Sequence, residues 1–338
     1  MVHLRIVAPS YQSEHALDLL EGIDSVSNLI FLERAARKPE GDVILCDVAR
    51  EDASVIISDL KELGIHLEGS IALENIDSQI SVAADAAEKA GDTFGEGVVW
   101  EEVEQRTSEN IELSAVFLAF MALACLIASV GILLDSPILI VGAMIVGPEF
   151  GPIAGLCVAI VQRRKDVARR SLVALAIGFP IGILAALIFA LVIRAVDLTP
   201  EGFVASAHPL TDFISHPDAF SFIVACFAGT AGVLSLTSAK SGALIGVLVS
   251  VTTIPAAANI GVAAAYAEWS EWRGAVLQLA VNLSGILLSG VVTLYLQRVV
   301  YMRHRRKHLQ HEAREVAGLP IGHSRRVESA SYQRPGDG

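Results

Sequence analysis

One carboxylate stands where carboxylates are rare. Glu149 lies inside the apolar stretch 136–162, SPILIVGAMIVGPEFGPIAGLCVAIVQ, and Gly147, Pro148, Gly151 and Pro152 surround it. Proline removes a helical donor and clashes with the preceding turn, so this stretch is expected to break or kink near its middle. Backbone groups freed by such a break cost several kcal/mol each in hydrocarbon, and survive only where they are buried in protein or line a wet cavity. A charge at that depth costs roughly 2.5 kcal/mol or more. Glu149, with Pro148 and Gly151, is therefore a candidate site for a proton or cation; the competing role is a carboxyl that caps the amides exposed after Pro148.

A second set of polar groups lies in TTIPAAANIG. Thr252, Thr253 and Asn259 around Pro255 offer uncharged oxygens to an ion or small polar solute, or else hydrogen bonds between helices. Other polar residues point to less. Asn282, Ser284 and Ser289 read as helix-to-helix hydrogen bonding, and Cys46, Cys125, Cys157 and Cys226 as small apolar filler without disulfide or zinc spacing. His304, His308 and His311 recur at helical spacing inside a charged tail and read as a solvated face rather than a metal site. No Ser-His-Asp set, P-loop, zincin motif or dinucleotide fingerprint occurs in a suitable context, so no enzyme activity and no cofactor are expected.

Positioning these groups falls to a membrane protein with a polar front end. Of 338 residues 53% are hydrophobic, mean hydropathy is +0.55, and the apolar residues concentrate after position 112. Residues 1–112 hold 8 basic and 24 acidic side chains, 113–297 hold 8 and 9, and 298–338 hold 9 and 4. An acidic front end argues against nucleic-acid binding. Six stretches approach the ~20 apolar residues a span needs: 113–134, 136–162, 171–196, 219–237, 241–267 and 274–300. Basic residues follow the second span (Arg163, Arg164, Lys165, Arg169, Arg170) and the sixth (Arg303, Arg305, Arg306, Lys307), while the 197–218 loop has none. The positive-inside rule then puts both termini in the cytoplasm of a multi-pass protein in the inner (plasma) membrane.

The second and fifth spans resemble each other at an offset of 105 to 107, with Pro148 falling on Pro255. Each copy is one span, a broken span and another span; an odd number inverts the second copy in the bilayer, the pattern of secondary transporters. Asp135, before Ser136 and Pro137, reads as the N-cap of the second span. GAMIVGPEFGPIAG, TTIPAAANIG and NLSGILLSG resemble an uncharacterised hydrophobic-domain membrane family, the domain of unknown function numbered 389, in its actinobacterial form. The resemblance covers about 98–300 and implies the membrane architecture without implying an activity; many members have an apolar residue in place of Glu149.

Residues 1–77 read as β-α-β-β-α-β: a strand through Leu4 and Ile6, a helix N-capped by Ser13, strands at 26–33 and 42–48, a helix through Ile56, Leu60 and Leu63, and a strand at 65–74. This is the order of a ferredoxin-like domain, similar in architecture to ACT regulatory domains. A helical connector follows at 78–112, with Trp100 in an interfacial segment, then the membrane domain at 113–300 and a basic, largely disordered tail at 301–338. The fold class expected is thus an α-helical polytopic membrane protein of two inverted three-span repeats with an α+β head. Two functions compete. One is a carrier of an ion or small solute between the breaks at Pro148 and Pro255, its head regulating or oligomerising it. The other is a membrane-embedded sensor or scaffold that transports nothing. Expected partners are the lipid bilayer, a small ion or solute and further copies of the chain.

Overall fold

The computed structural model describes residues 1–76, 78–91, 97–200, 210–211, 214–238 and 253–324. The chain divides into two units, one of residues 1–102 with 297–338, the other of residues 103–296.

In the first unit β1 (Val2–Ala8), α1 (Ser10–Glu21), β2 (Val26–Arg37), β3 (Glu40–Val48), α2 (Arg50–Glu62), a one-turn α3 (Ile65–Glu68) and β4 (Ser70–Asn75) follow one another. The sheet is antiparallel with strand order β2-β3-β1-β4. Alternation explains β1: Val2, Leu4, Ile6 and Ala8 are fully buried while Arg5 faces solvent. Against that face pack Ala16, Leu19 and Leu20 of α1 and Val55, Ile56 and Leu60 of α2.

Local chemistry moved two boundaries. The first helix starts at Ser10 after Pro9, not at Ser13, whose hydroxyl is buried and donates to Asp42 Oδ2 at 2.7 Å. The last strand begins at Ser70 rather than 65, because Gly64 takes a left-handed conformation (φ 84°) and Ile65 turns into α3.

Two short helices complete the front part, α4 (Val82–Ala90) and α5 (Trp100–Asn110). Trp100, expected in an interfacial segment, is instead buried in the first unit with its ring edge-on to Tyr301 at 6.1 Å. Residues 301–324, expected in a largely disordered tail, are ordered: Ala313 and Ala317 join the same apolar core as β1.

The second unit is helical: α6 (Ala115–Leu133), α7 (Pro137–Val146), α8 (Phe150–Gln162), α9 (Lys165–Ala195), α10 (Ala219–Thr237), α11 (Thr253–Tyr266) and α12 (Trp269–His308), the last ending in the first unit; α13 (Glu312–Val316) follows. Among the described residues four helices, α6, α9, α10 and α12, are long and apolar enough to cross a membrane. The bent pair α7 and α8 makes five if counted as one span. The fifth stretch expected from the sequence is described only from Thr253, as α11; the residues before it lie outside the described residues. Asp135 is not the cap of α7. Ser136 holds that place, and Asp135, at φ 46°, accepts a hydrogen bond from Thr211 at 2.9 Å.

Element boundaries recur at one spacing. The N-caps Ser114 and Asp218, the α6 and α10 ends Leu133 and Thr237, and the first residues of α9 and α12, Lys165 and Trp269, all stand 104 apart. The turns after α8 and α11 match bond for bond. Arg163 and Ala267 are both left-handed; Arg164 N donates to Ala159 O and Glu268 N to Ala263 O. The 105 to 107 offset is thereby corrected to 104, and Pro148 no longer pairs with Pro255. At 104 Pro152 falls on Ala256 and Pro255 on Gly151.

Packing repeats at the same spacing. A Cβ on Gly182 of α9 would stand 2.6 Å from Cys125 Sγ of α6, and one on Gly229 of α10 would stand 2.6 Å from Ile286 O of α12. Crossing from one half to the other, Cys157 Sγ of α8 lies 3.8 Å from Leu287 O of α12. Gly261 of α11 meets α9 at Ile183 O, the position equivalent to Leu287. Small residues at these crossings let backbones approach closely, the usual means of packing helices without a hydrophobic driving force.

Candidate functional site

The break between α7 and α8 spans Gly147, Pro148 and Glu149 and bends the pair by 54°. Gly147 ends α7 as its C-cap, and Glu149 stands at the N-cap of α8 without bonding its amides through the side chain. The carboxyl instead reaches across to α11. Thr253 Oγ1 donates to Glu149 Oε1 at 2.6 Å, and both residues are buried, at 5% and 1% exposure. Glu149 Oε2 has no hydrogen-bond partner among the described residues. It occupies the space a side chain at position 147 would need, since a Cβ on Gly147 would lie 2.3 Å from it.

Among the described residues no charged side chain compensates the carboxyl. Helices α6, α7, α8 and α11 contain no Asp, Glu, Lys, Arg or His, and those of α9 sit near its two ends. Cys125 of α6 is the titratable group within electrostatic reach. Helix α8 begins at Glu149, so its N-terminal amides lie near the carboxyl. Among the described residues no group of three or more His, Cys, Asp or Glu is placed to hold a metal ion.

Of the residues singled out from the sequence, Glu149 and Thr253 are brought together. Pro148 is half-buried in the break and Gly151 lies in the first turn of α8. Pro255 is buried near the first described residue of α11, and Asn259 is buried one turn further along. Thr252 lies outside the described residues. Sequence reasoning counted Gly147 in the break but not as the residue whose lack of a side chain makes the room for Oε2. It also passed over the numbering itself: Glu149 and Thr253 stand 104 residues apart, the spacing at which the helices recur.

A second buried ionic cluster occupies the first unit. Asp59, fully buried on α2, accepts from Arg305 Nη1 at 2.5 Å, His308 Nε2 at 2.8 Å and Arg314 Nη1; Glu62 accepts from Arg305 at 2.7 Å and Arg314 at 3.0 Å. His304 meets Asp52 at 2.5 Å. Burial pushes the Asp59 carboxyl up, but the His308 hydrogen bond and the charges of Arg305, His308 and Arg314 outweigh it and hold it below the ordinary value. The solvated face expected of His304 and His308 is thus overturned: both lie against carboxylates of α2. Asp52, Asp59 and Glu62 beside Ile56 and Leu60 were the signal, acids sharing an apolar helix face.

Residues 144–288 match the family model of a domain of unknown function. That stretch is similar to the family named DUF389. That match begins in α7 and ends in α12, so it contains both Glu149 and Thr253. A curated relative, an uncharacterised protein of Methanocaldococcus jannaschii, is 27% identical over 207 residues, 58% of this chain and 59% of that protein. The chain therefore aligns with less than two thirds of that relative's length. No solved structure matches the chain.

Proposed function

We propose that the protein is a membrane carrier of an ion or small solute whose site is the Glu149 and Thr253 pair. The observation that carries the reading is their hydrogen bond, which joins positions 104 residues apart, the period of the helical elements. A bond between equivalent positions of two copies lies on the axis relating them. The reading takes α6 to α9 as one copy and α10 to α12, with the stretch before α11, as the other. Reciprocal crossings of α8 on α12 and α11 on α9 support it. Three spans per copy invert the second, giving six spans, both termini cytoplasmic and a site at broken helices near the midplane of the plasma membrane. No enzyme activity is part of the proposal.

The head is proposed to be a ferredoxin-like, ACT-like regulator or oligomeriser. Its edge strand β2 exposes Ile30, Phe31 and Leu32, a surface that a second copy's strand would cover. The sensor reading draws on one feature of that head, an open groove of about 660 Å³ lined by Ser10, Arg34, Arg37 and Glu40.

Gradient-driven flux of a panel of ions and solutes into proteoliposomes tests the carrier: saturable uptake is expected, whereas tight ligand binding by the full chain without any flux replaces the carrier by the sensor. Topology is checked with single cysteines in a cysteine-free background. Ser206→Cys is expected to label from outside and Arg169→Cys from inside; outside labelling of Arg169→Cys ends the six-span inverted arrangement.

A further inference from the structure

We infer that Glu149 is a proton site, its Oε2 taking up and releasing one proton while Thr253 holds Oε1. The inference deepens the carrier reading and rests on it for its use in transport. Three observations lead to a proton rather than another cation. The carboxyl is almost wholly buried with no cationic partner among the described residues, so its charge must be cancelled by something that binds. Among the described residues one carboxylate and one hydroxyl converge there and no cluster of three ligating side chains exists, whereas hard metal cations take about six or more oxygens. Last, Oε2 sits against Gly147 at the C-terminal end of α7, where the final carbonyls have lost their helical donors. A protonated Oε2 can donate to such a carbonyl, and a bare Oε2 cannot.

The exchange is balanced simply. Uptake forms one O–H bond, removes one negative charge and converts hydronium to water; release reverses each change. Thr253 donates to Oε1 in both states. Among the described residues Cys125 from α6 and Thr253 from α11 face the carboxyl; α7 has no titratable or charged side chain, α8 has Cys157, whose thiol is turned to Leu287 O, and the charged residues of α9 lie near its ends. Thr253 is a positioning residue.

The test uses the full chain in liposomes and dicyclohexylcarbodiimide, which modifies protonated carboxyls in apolar surroundings, with peptide mass spectrometry as readout. An adduct at Glu149 is expected to rise about tenfold per pH unit fall on the alkaline side of its midpoint, to be the same in sodium, potassium and choline chloride, and to vanish in Glu149→Gln. Thr253→Val is expected to move the midpoint and Thr253→Ser to restore it. Suppression of the adduct by sodium or potassium at constant pH makes the site a metal-cation site and overturns the inference, as does an unmodified Glu149 in folded protein at every pH. A pH-dependent adduct in liposomes that pass no protons down a gradient upholds the proton site and removes the carrier.

Discussion

Asp59 and Glu149 are both buried carboxylates, and their surroundings could hardly differ more. Among the described residues Asp59 is met by two guanidiniums and an imidazole, whereas Glu149 is met by one hydroxyl at Oε1 and has no partner at Oε2. In the ionic cluster each charge is met by an opposite one, and removing a member upsets that balance. A single-partner carboxyl in an apolar bundle has capacity left and must be neutralised from outside. Burial alone thus says little about role; the count of partners separates the two.

The largest effect is expected from Asp59→Ala. It removes the carboxylate that Arg305, His308 and Arg314 share and leaves Glu62 alone to meet both buried guanidiniums, and should cost about 3–5 kcal/mol of the first unit's stability, read by denaturant melts of the full chain followed by tryptophan fluorescence. A cost near zero would mean that the cluster is not a structural clamp. Thr253→Val comes next. It leaves both Glu149 oxygens without a partner among the described residues and should cost about 1–3 kcal/mol. Glu149→Gln should change thermal stability by less than about 1 kcal/mol while abolishing any pH-dependent flux. A severe loss of stability would instead move Glu149 to the structural side of the comparison.

Acid gives the smallest and most selective effect. The Asp59 carboxyl is depressed by its partners, so its stabilisation is fully present above the unfolded value of 3.8 and is lost as pH falls through the lower folded value. Asp52 behaves alike, burial opposing the hydrogen bonds from His304 and Ser25, which win. Residues 301–324 should therefore gain amide hydrogen exchange only below about pH 4. Loosening already at neutral pH would show that these carboxylates contribute little to holding them.

Legibility in the sequence followed the range of the interactions. Alternation marked β1, and the run of Gly147, Pro148 and Pro152 marked the break, because both are properties of neighbouring residues. Their exact limits depended on competing local bonds, as with Ser13 drawn to Asp42 and Ile65 turned by Gly64. The tail was misread for a longer-range reason. Its arginines and histidines look solvated beside their own neighbours, and only α2, some 250 residues earlier, supplies the carboxylates that bury them.

The sequence by itself determined the apolar helices, the broken one, and the presence of an unusual carboxyl within it, since composition, proline and glycine act locally. Tertiary structure decided the rest: that Thr253 rather than Pro255 answers Glu149, that Gly147 opens the space for its second oxygen, and that Asp59 closes on Arg305 and Arg314. Which polar groups meet is set by how helices cross, and a helix crossing depends on side chains a hundred or more positions apart that no local pattern relates.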